Sequence, residues 1–191
     1  LSSVLDVKTT DGNKNRIKVQ ASVGLIASKV SIDGPITASR KTTFVLSARR
    51  SYIDVLRGAL NAIPNQSDLN PFKTGYYFYD INGKIKHDFS RKHQLSLSYY
   101  LGQDIVFVKN SYSAKAAEFS IRQKDRQNVY WGNQLIALRD HHIWSQRLSA
   151  WLSVANTTYR FGNDFEYSYS KTSDTSSLRI GNSSSNNTYV N

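Results

Sequence analysis

The chain has 191 residues, no cysteine, no methionine and a net charge of +11. The missing thiols exclude disulfides and thiolate metal sites, and no run of 18 apolar residues supplies a transmembrane helix. The charge would suit an anionic partner, but the 25 Lys and Arg are scattered, many at turns such as Ser39-Arg40-Lys41, so no nucleic-acid partner is expected.

Along the chain the dominant pattern is alternation. Residues 15–23 and 25–33 each place apolar side chains at every second position: Ile17, Val19 and Ala21, then Ile26, Val30 and Ile32. Gly24 marks a tight turn between them. Gly34-Pro35 ends the second run, because proline cannot donate to a ladder, and Arg40-Lys41 keep the following turn in water. Residues 43–52 carry Phe44, Leu46 and Ala48 on one face, with Val45, Ser47, Arg49 and Ser51 on the other. Ile53, Leu56, Leu60 and Ile63 then fall at helical spacing, with Pro64 as a stop, which predicts a short amphipathic helix in the long 52–74 connection. Residues 76–89 set Tyr77, Tyr79, Ile81, Ile85 and Phe89 against Asp80, Asn82, Lys84, Lys86 and Asp88. After a short turn at 90–93, Leu95, Leu97, Tyr99 and Leu101 alternate with Ser96, Ser98 and Tyr100. Residues 109–127 read as a long connection. Residues 128–142 are strand-like with mixed faces, and Leu148, Ala150, Leu152 and Val154 form a last apolar face after a short turn at 143–147. Beyond Phe161 the chain is rich in Ser, Asn and Thr and reads as a long loop.

These runs amount to about seven strands, mostly of 9–15 residues. Strands of soluble sheets average roughly 5–6 residues, whereas a bilayer-crossing strand needs about 9–11. Short turns on one side and long loops on the other fit the same comparison. Aromatic residues gather near strand ends, as at Tyr76–Tyr79 and Tyr130-Trp131, in the manner of interfacial girdles. In hydrocarbon a sheet must close on itself to satisfy its backbone. The expected fold class is therefore all-β, an antiparallel transmembrane β-barrel segment of about seven long strands belonging to a larger barrel. The chain opens at Leu1 inside a patterned run without a signal-peptide pattern, so it is expected to be a piece of a longer protein.

Little in the sequence points to chemistry. Asp140-His141-His142 is the one run that invites a metal or catalytic reading. Adjacent histidines on a strand point to opposite faces, so they are expected to be a polar strand end. His87 and His93 flank a turn and are expected to be solvated. No phosphate loop, paired catalytic carboxylate or Ser/His/Asp spacing appears. No enzyme activity, cofactor or metal is expected. By the phase of Phe44, Leu46 and Ala48, Arg49 faces the polar interior, where it is the candidate substrate-contacting residue or a partner for carboxylates lying there. Arg50 is expected to face lipid headgroups.

Several short stretches, in order and at the right spacing, resemble the TonB-dependent outer-membrane receptors, most closely those of the Bacteroidetes. Leu1–Asn13 resembles the end of the plug domain. Ile32-Asp33-Gly34-Pro35-Ile36 resembles the periplasmic turn after the second barrel strand. Phe44–Tyr52 resembles the third strand, Tyr79–Lys84 the fourth, and Trp131-Gly132-Asn133 the start of the sixth. The resemblance implies a 22-strand barrel filled by a plug, of which residues 1–13 are the plug's end and linker. Residues 14–191 are then the N-terminal part of the barrel, with long extracellular loops near 52–74, 109–127 and 163–191. It also implies a place in the bacterial outer membrane and active uptake of a nutrient of siderophore, vitamin or glycan class. The implied partners are outer-membrane lipid, that small-molecule or oligomeric nutrient, a surface lipoprotein, and the TonB complex, reached through a region ahead of Leu1. The pattern alone also admits a non-transporting outer-membrane barrel or a soluble secreted all-β binding module.

Overall fold

Alternation becomes strand almost throughout. The computed structural model describes residues 9–56, 72–116, 119–173 and 177–190. They form one antiparallel sheet whose eight strands pair in sequence order. The strands are β1 (Lys18–Val23), β2 (Ala27–Pro35), β3 (Thr42–Ser51), β4 (Phe72–Ser90), β5 (His93–Lys115), β6 (Phe119–Ser145), β7 (Leu148–Ser173) and β8 (Ser177–Val190).

The first pairing shows how register sorts the side chains. Val19 lies opposite Ile32 and Ala21 opposite Val30, while Lys18 meets Asp33 and Ser22 meets Lys29. Directly opposed residues share a face, so one face of this hairpin is apolar and the other polar. Gly24 opens the loop, and its N–H donates to the Ala27 carbonyl at 2.9 Å. β2 ends at Pro35, as the loss of its N–H requires. In the next turn the Arg40 N–H donates to the Thr37 carbonyl, and Arg40 sits at a φ of 57°. That is a left-handed conformation which favours glycine.

Three expectations change. The sheet has an eighth strand, and two stretches expected as long loops are mostly strand. β5 runs on to Lys115 and β6 starts at Phe119, so little of 109–127 is left as connection. Much of 163–191 is the paired end of β7 with β8, from Arg160 opposite Val190 to Thr172 opposite Ser177, with a bulge at Ser168/Tyr169. The reason is that polar residues occupy both faces there, so no alternation marks these segments. In the 52–74 connection, residues 53–56 are helical, as expected. The rest of that helix, and residues 1–8 of the plug-like segment, lie outside the described residues.

The chain divides into two compact units. The first contains residues 9–49, 80–102 and 133–158 of the described chain, and the second residues 50–56, 72–79, 103–132 and the region from 159. The first unit includes residues 80–90 of β4, 93–102 of β5, 133–145 of β6 and 148–158 of β7, ten to thirteen residues in each. Its two faces differ sharply. One carries Val19, Val30, Leu46, Ile85, Leu97, Ile136 and Leu152, and they are exposed, Leu46 to 48% and Leu152 to 67%. Nowhere among the described residues is an apolar side chain buried. What is buried among the described residues is polar or small: Thr43, Asp80 and the glycines at 12, 34 and 102 in the first unit, Ser51 and Gly162 in the second. A large sheet with an unburied apolar face cannot be held together by a hydrophobic core of its own.

Candidate functional site

The polar face of the first unit carries the densest chemistry. Alternation in β4 points Asp80, Asn82, Lys84, Lys86 and Asp88 to one side. The segment 9–16 precedes β1 without forming strand and lies against that side. Lys84 Nζ donates to Asp11 Oδ1 at 2.6 Å and to the Thr9 carbonyl at 3.1 Å, and Lys86 Nζ donates to Asp11 Oδ2 at 2.6 Å. Lys14 pairs with Asp88, whose other oxygen is 3.9 Å from Lys86. The Asn13 N–H donates to Asp33 Oδ2 at 2.9 Å. Asn13 Oδ1 in turn accepts the N–H groups of Asn15 and Arg16, which folds the segment into a local turn. Gly12 makes the close approach possible. A Cβ there would sit 2.3 Å from the Phe44 carbonyl oxygen, a backbone atom that cannot move aside.

Partial burial pushes the Asp11 carboxyl up. The hydrogen bonds and charges of Lys84 and Lys86 outweigh that push and hold it below its ordinary 3.8. Beside Asp11 lies a hollow of about 670 Å³, walled by Lys84, Ser96, Ser98, Tyr100 and Arg139. Hydroxyl and charged groups around a hollow suit a hydrated space.

Arg49 does stand on the polar face, but it is held by the neighbouring strand. Its Nη2 and Nε lie 2.6 and 2.7 Å from Asp80 Oδ2. Asp80 is only 7% exposed, so the pair reaches below the surface of the sheet although Arg49 is half open to water. Arg50 has partners within the chain. In the second unit it pairs with Asp54 at 3.2 Å and lies over the Tyr77 ring at 5.0 Å. Both sit on the wall of a groove of about 440 Å³, together with Phe107, Tyr130 and Asp164.

Three of the four histidines form a row on the apolar side of the first unit, near the two-residue turns at Arg91-Lys92 and Gln146-Arg147. His87 rests edge-on against Phe89 at 4.4 Å, Phe89 stacks on His93 at 4.8 Å, His93 meets His142 at 4.9 Å, and His142 meets Trp144 at 4.7 Å. His93 Nε2 lies 2.7 Å from Asp140 Oδ1, and His87 Nδ1 lies 2.8 Å from Thr42 Oγ1. His87 and His93 are therefore partnered rather than simply solvated. His141 goes to the opposite face, as strand geometry requires, and meets the edge of Trp151 at 5.3 Å. Among the described residues no cluster of three or more metal-ligating side chains occurs. Sequence reasoning missed this row because its members come from three strands. The only local hint was the aromatic and imidazole content beside the turns.

No protein-family model, no curated protein and no solved structure matches this chain.

Proposed function

We propose that the chain is part of a transmembrane β-barrel in the bacterial outer membrane, and that the barrel is a TonB-dependent receptor for active uptake of a nutrient. The observation that carries the membrane reading is the apolar face of the first unit, exposed on a sheet with no buried apolar residue among those described. Hydrocarbon is the solvent in which such a face is stable. The ten to thirteen residues contributed by each of β4 to β7 match the roughly 9–11 needed to cross a bilayer. The row from His87 to Trp144 supplies aromatic rings beside cationic turns, the composition of a membrane interface. Lysines, aspartates and the hollow on the other face suit a wet lumen.

The receptor class is supported by the resemblance of the ordered motifs from Leu1 to Asn133. The segment 9–16, ion-paired to the polar face, is in keeping with the end of a plug lying inside a barrel. In this reading lipid covers the apolar face. The nutrient, a surface lipoprotein and the TonB complex are partners of the whole receptor.

Two experiments test the two levels separately. The protein should be recovered from the outer-membrane fraction and extracted only by detergent; a folded monomer in detergent-free buffer would sink the barrel. Disrupting the gene should abolish growth on one limiting nutrient, and loss of TonB should produce the same defect. Uptake that persists without TonB would remove the receptor reading and leave the barrel standing.

A further inference from the structure

We propose that Lys84, Lys86 and Arg139 form an anion-binding site on the polar face, and that Asp11 occupies it as an internal stand-in for a phosphate- or carboxylate-bearing ligand. The two lysine ammonium groups each grip one oxygen of a single carboxylate at 2.6 Å. That is how two point charges receive a bidentate anion. Both lysines stand on the paired strand β4 and are well covered, 15% and 16% exposed with Asp11 in place. Asp11 is the looser partner, 44% exposed.

Arg139 extends the site. It lines the 670 Å³ hollow with Asp11 and Lys84, and also a smaller adjoining one of about 210 Å³ with Asp11, Lys84 and Lys86. Ser96 borders both hollows and offers a neutral donor. Charge decides the ligand class. With Asp11 in place the three cations face Asp11 and, 3.9 Å from Lys86, Asp88. With Asp11 withdrawn, three cations face one carboxylate around an open hollow. A ligand with two or more negative charges then gains more from the site than Asp11 does.

The segment is built to leave. It has no strand pairing, and its hold on the sheet is mostly polar: Asp11 and the Thr9 carbonyl on the lysines, Lys14 on Asp88 and one backbone donor on Asp33, with Gly12 packed against Phe44. Each of these pairs has one partner open to water, Asp11 at 44% and Lys14 at 53%, and ion pairs screened in this way are individually weak. An anion entering the hollow therefore competes with Asp11 and frees residues 9–16 from the polar face. The inference rests on these contacts alone and holds whether or not the sheet crosses a membrane.

The test uses the full chain folded in detergent micelles, with a spin label on a single cysteine introduced at Thr10. The natural chain has no cysteine, so the label is unique. Inorganic pyrophosphate and citrate are titrated separately, with chloride at matched ionic strength as the control. Label mobility reports release, and calorimetry reports binding. Either anion should mobilise the label where chloride does not, and whichever binds better identifies a phosphorylated or a polycarboxylate ligand. Asp11→Asn removes the competitor and should tighten binding by about tenfold. Lys84→Gln and Lys86→Gln should each weaken it by about tenfold. These opposite signs cannot come from misfolding, which would weaken binding in every variant. The proposal is overturned if the Asp11→Asn protein binds neither anion, or if chloride mobilises the label as well as they do.

Discussion

Replacing Leu46 with arginine separates a lipid-facing sheet from a water-facing one. Leu46 lies in the middle of β3, four residues from Thr42 and five from Ser51, and is 48% exposed. Fully burying a leucine side chain is worth about 1.5–3 kcal/mol, so in lipid its open half contributes on the order of 1 kcal/mol. Arginine forfeits that and brings a charge into hydrocarbon. The total cost for a cation on the lipid face near the midplane is about 2–4 kcal/mol, or roughly thirty- to a thousandfold in the folding equilibrium. In water the same change at a half-exposed site would move stability by only about 0.5 kcal/mol. Ser47→Arg, one residue along and on the opposite face, is the control and should cost no more than about 1 kcal/mol. The assay is reversible guanidinium unfolding from phospholipid vesicles, followed by tryptophan fluorescence. If Leu46→Arg and Ser47→Arg shift the midpoint equally, the assignment of the two faces is wrong.

Three further outcomes follow from the polar face. Gly12→Ala places a methyl group 2.3 Å from the Phe44 carbonyl oxygen. It should loosen residues 9–16 by about 1–3 kcal/mol, read as faster trypsin cleavage after Lys14 and Arg16. The Asp11 carboxyl titrates below 3.8 when folded, so its ion pairs stabilise the protein fully above that pH and are lost as pH falls through the lower folded value. Asp11→Asn should therefore differ from the natural protein in stability at neutral pH and converge with it in strong acid; a constant gap across that range would contradict the pairing. Arg49→Met strands Asp80, which is 7% exposed, and should cost about 1–3 kcal/mol by denaturant titration. Asp80→Asn should cost less, because Arg49 is half exposed and keeps access to water.

How much of this was legible depended on whether each face had one character. Where apolar and polar residues alternate, as in Phe44–Ala48 and Tyr77–Phe89, the strands and their facing could be read directly. Proline at 35 marked a strand end for a mechanical reason, its missing donor. Residues 109–115 of β5, 119–127 of β6 and 163–173 of β7, and all of β8, were hidden, because stretches such as Ser168–Ser173 are polar at nearly every position and look like loop. Their strand state comes from ladder pairing, such as Phe161 opposite Tyr189, which leaves no local trace. Arg49 was placed on the correct face by phase. Its partner Asp80, thirty-one residues away, was not foreseen. The His93–Asp140 pair spans forty-seven residues, and the lysine grip on Asp11 more than seventy. Such contacts are set by strand order, which no local spacing encodes.

The central claim is that the apolar face meets lipid and the polar face meets water. Nitroxide labels on single cysteines placed in turn at residues 95 to 100 of β5, in a chain free of natural cysteine, test it in one scan in phospholipid bilayers. The account predicts that labels at 95, 97 and 99 are relaxed by oxygen, which dissolves in lipid. Labels at 96, 98 and 100 should be relaxed by a water-soluble nickel chelate, giving two out-of-phase oscillations of period two. Labels reached equally by the nickel chelate at all six positions would mean that both faces lie in water, and the account would fail.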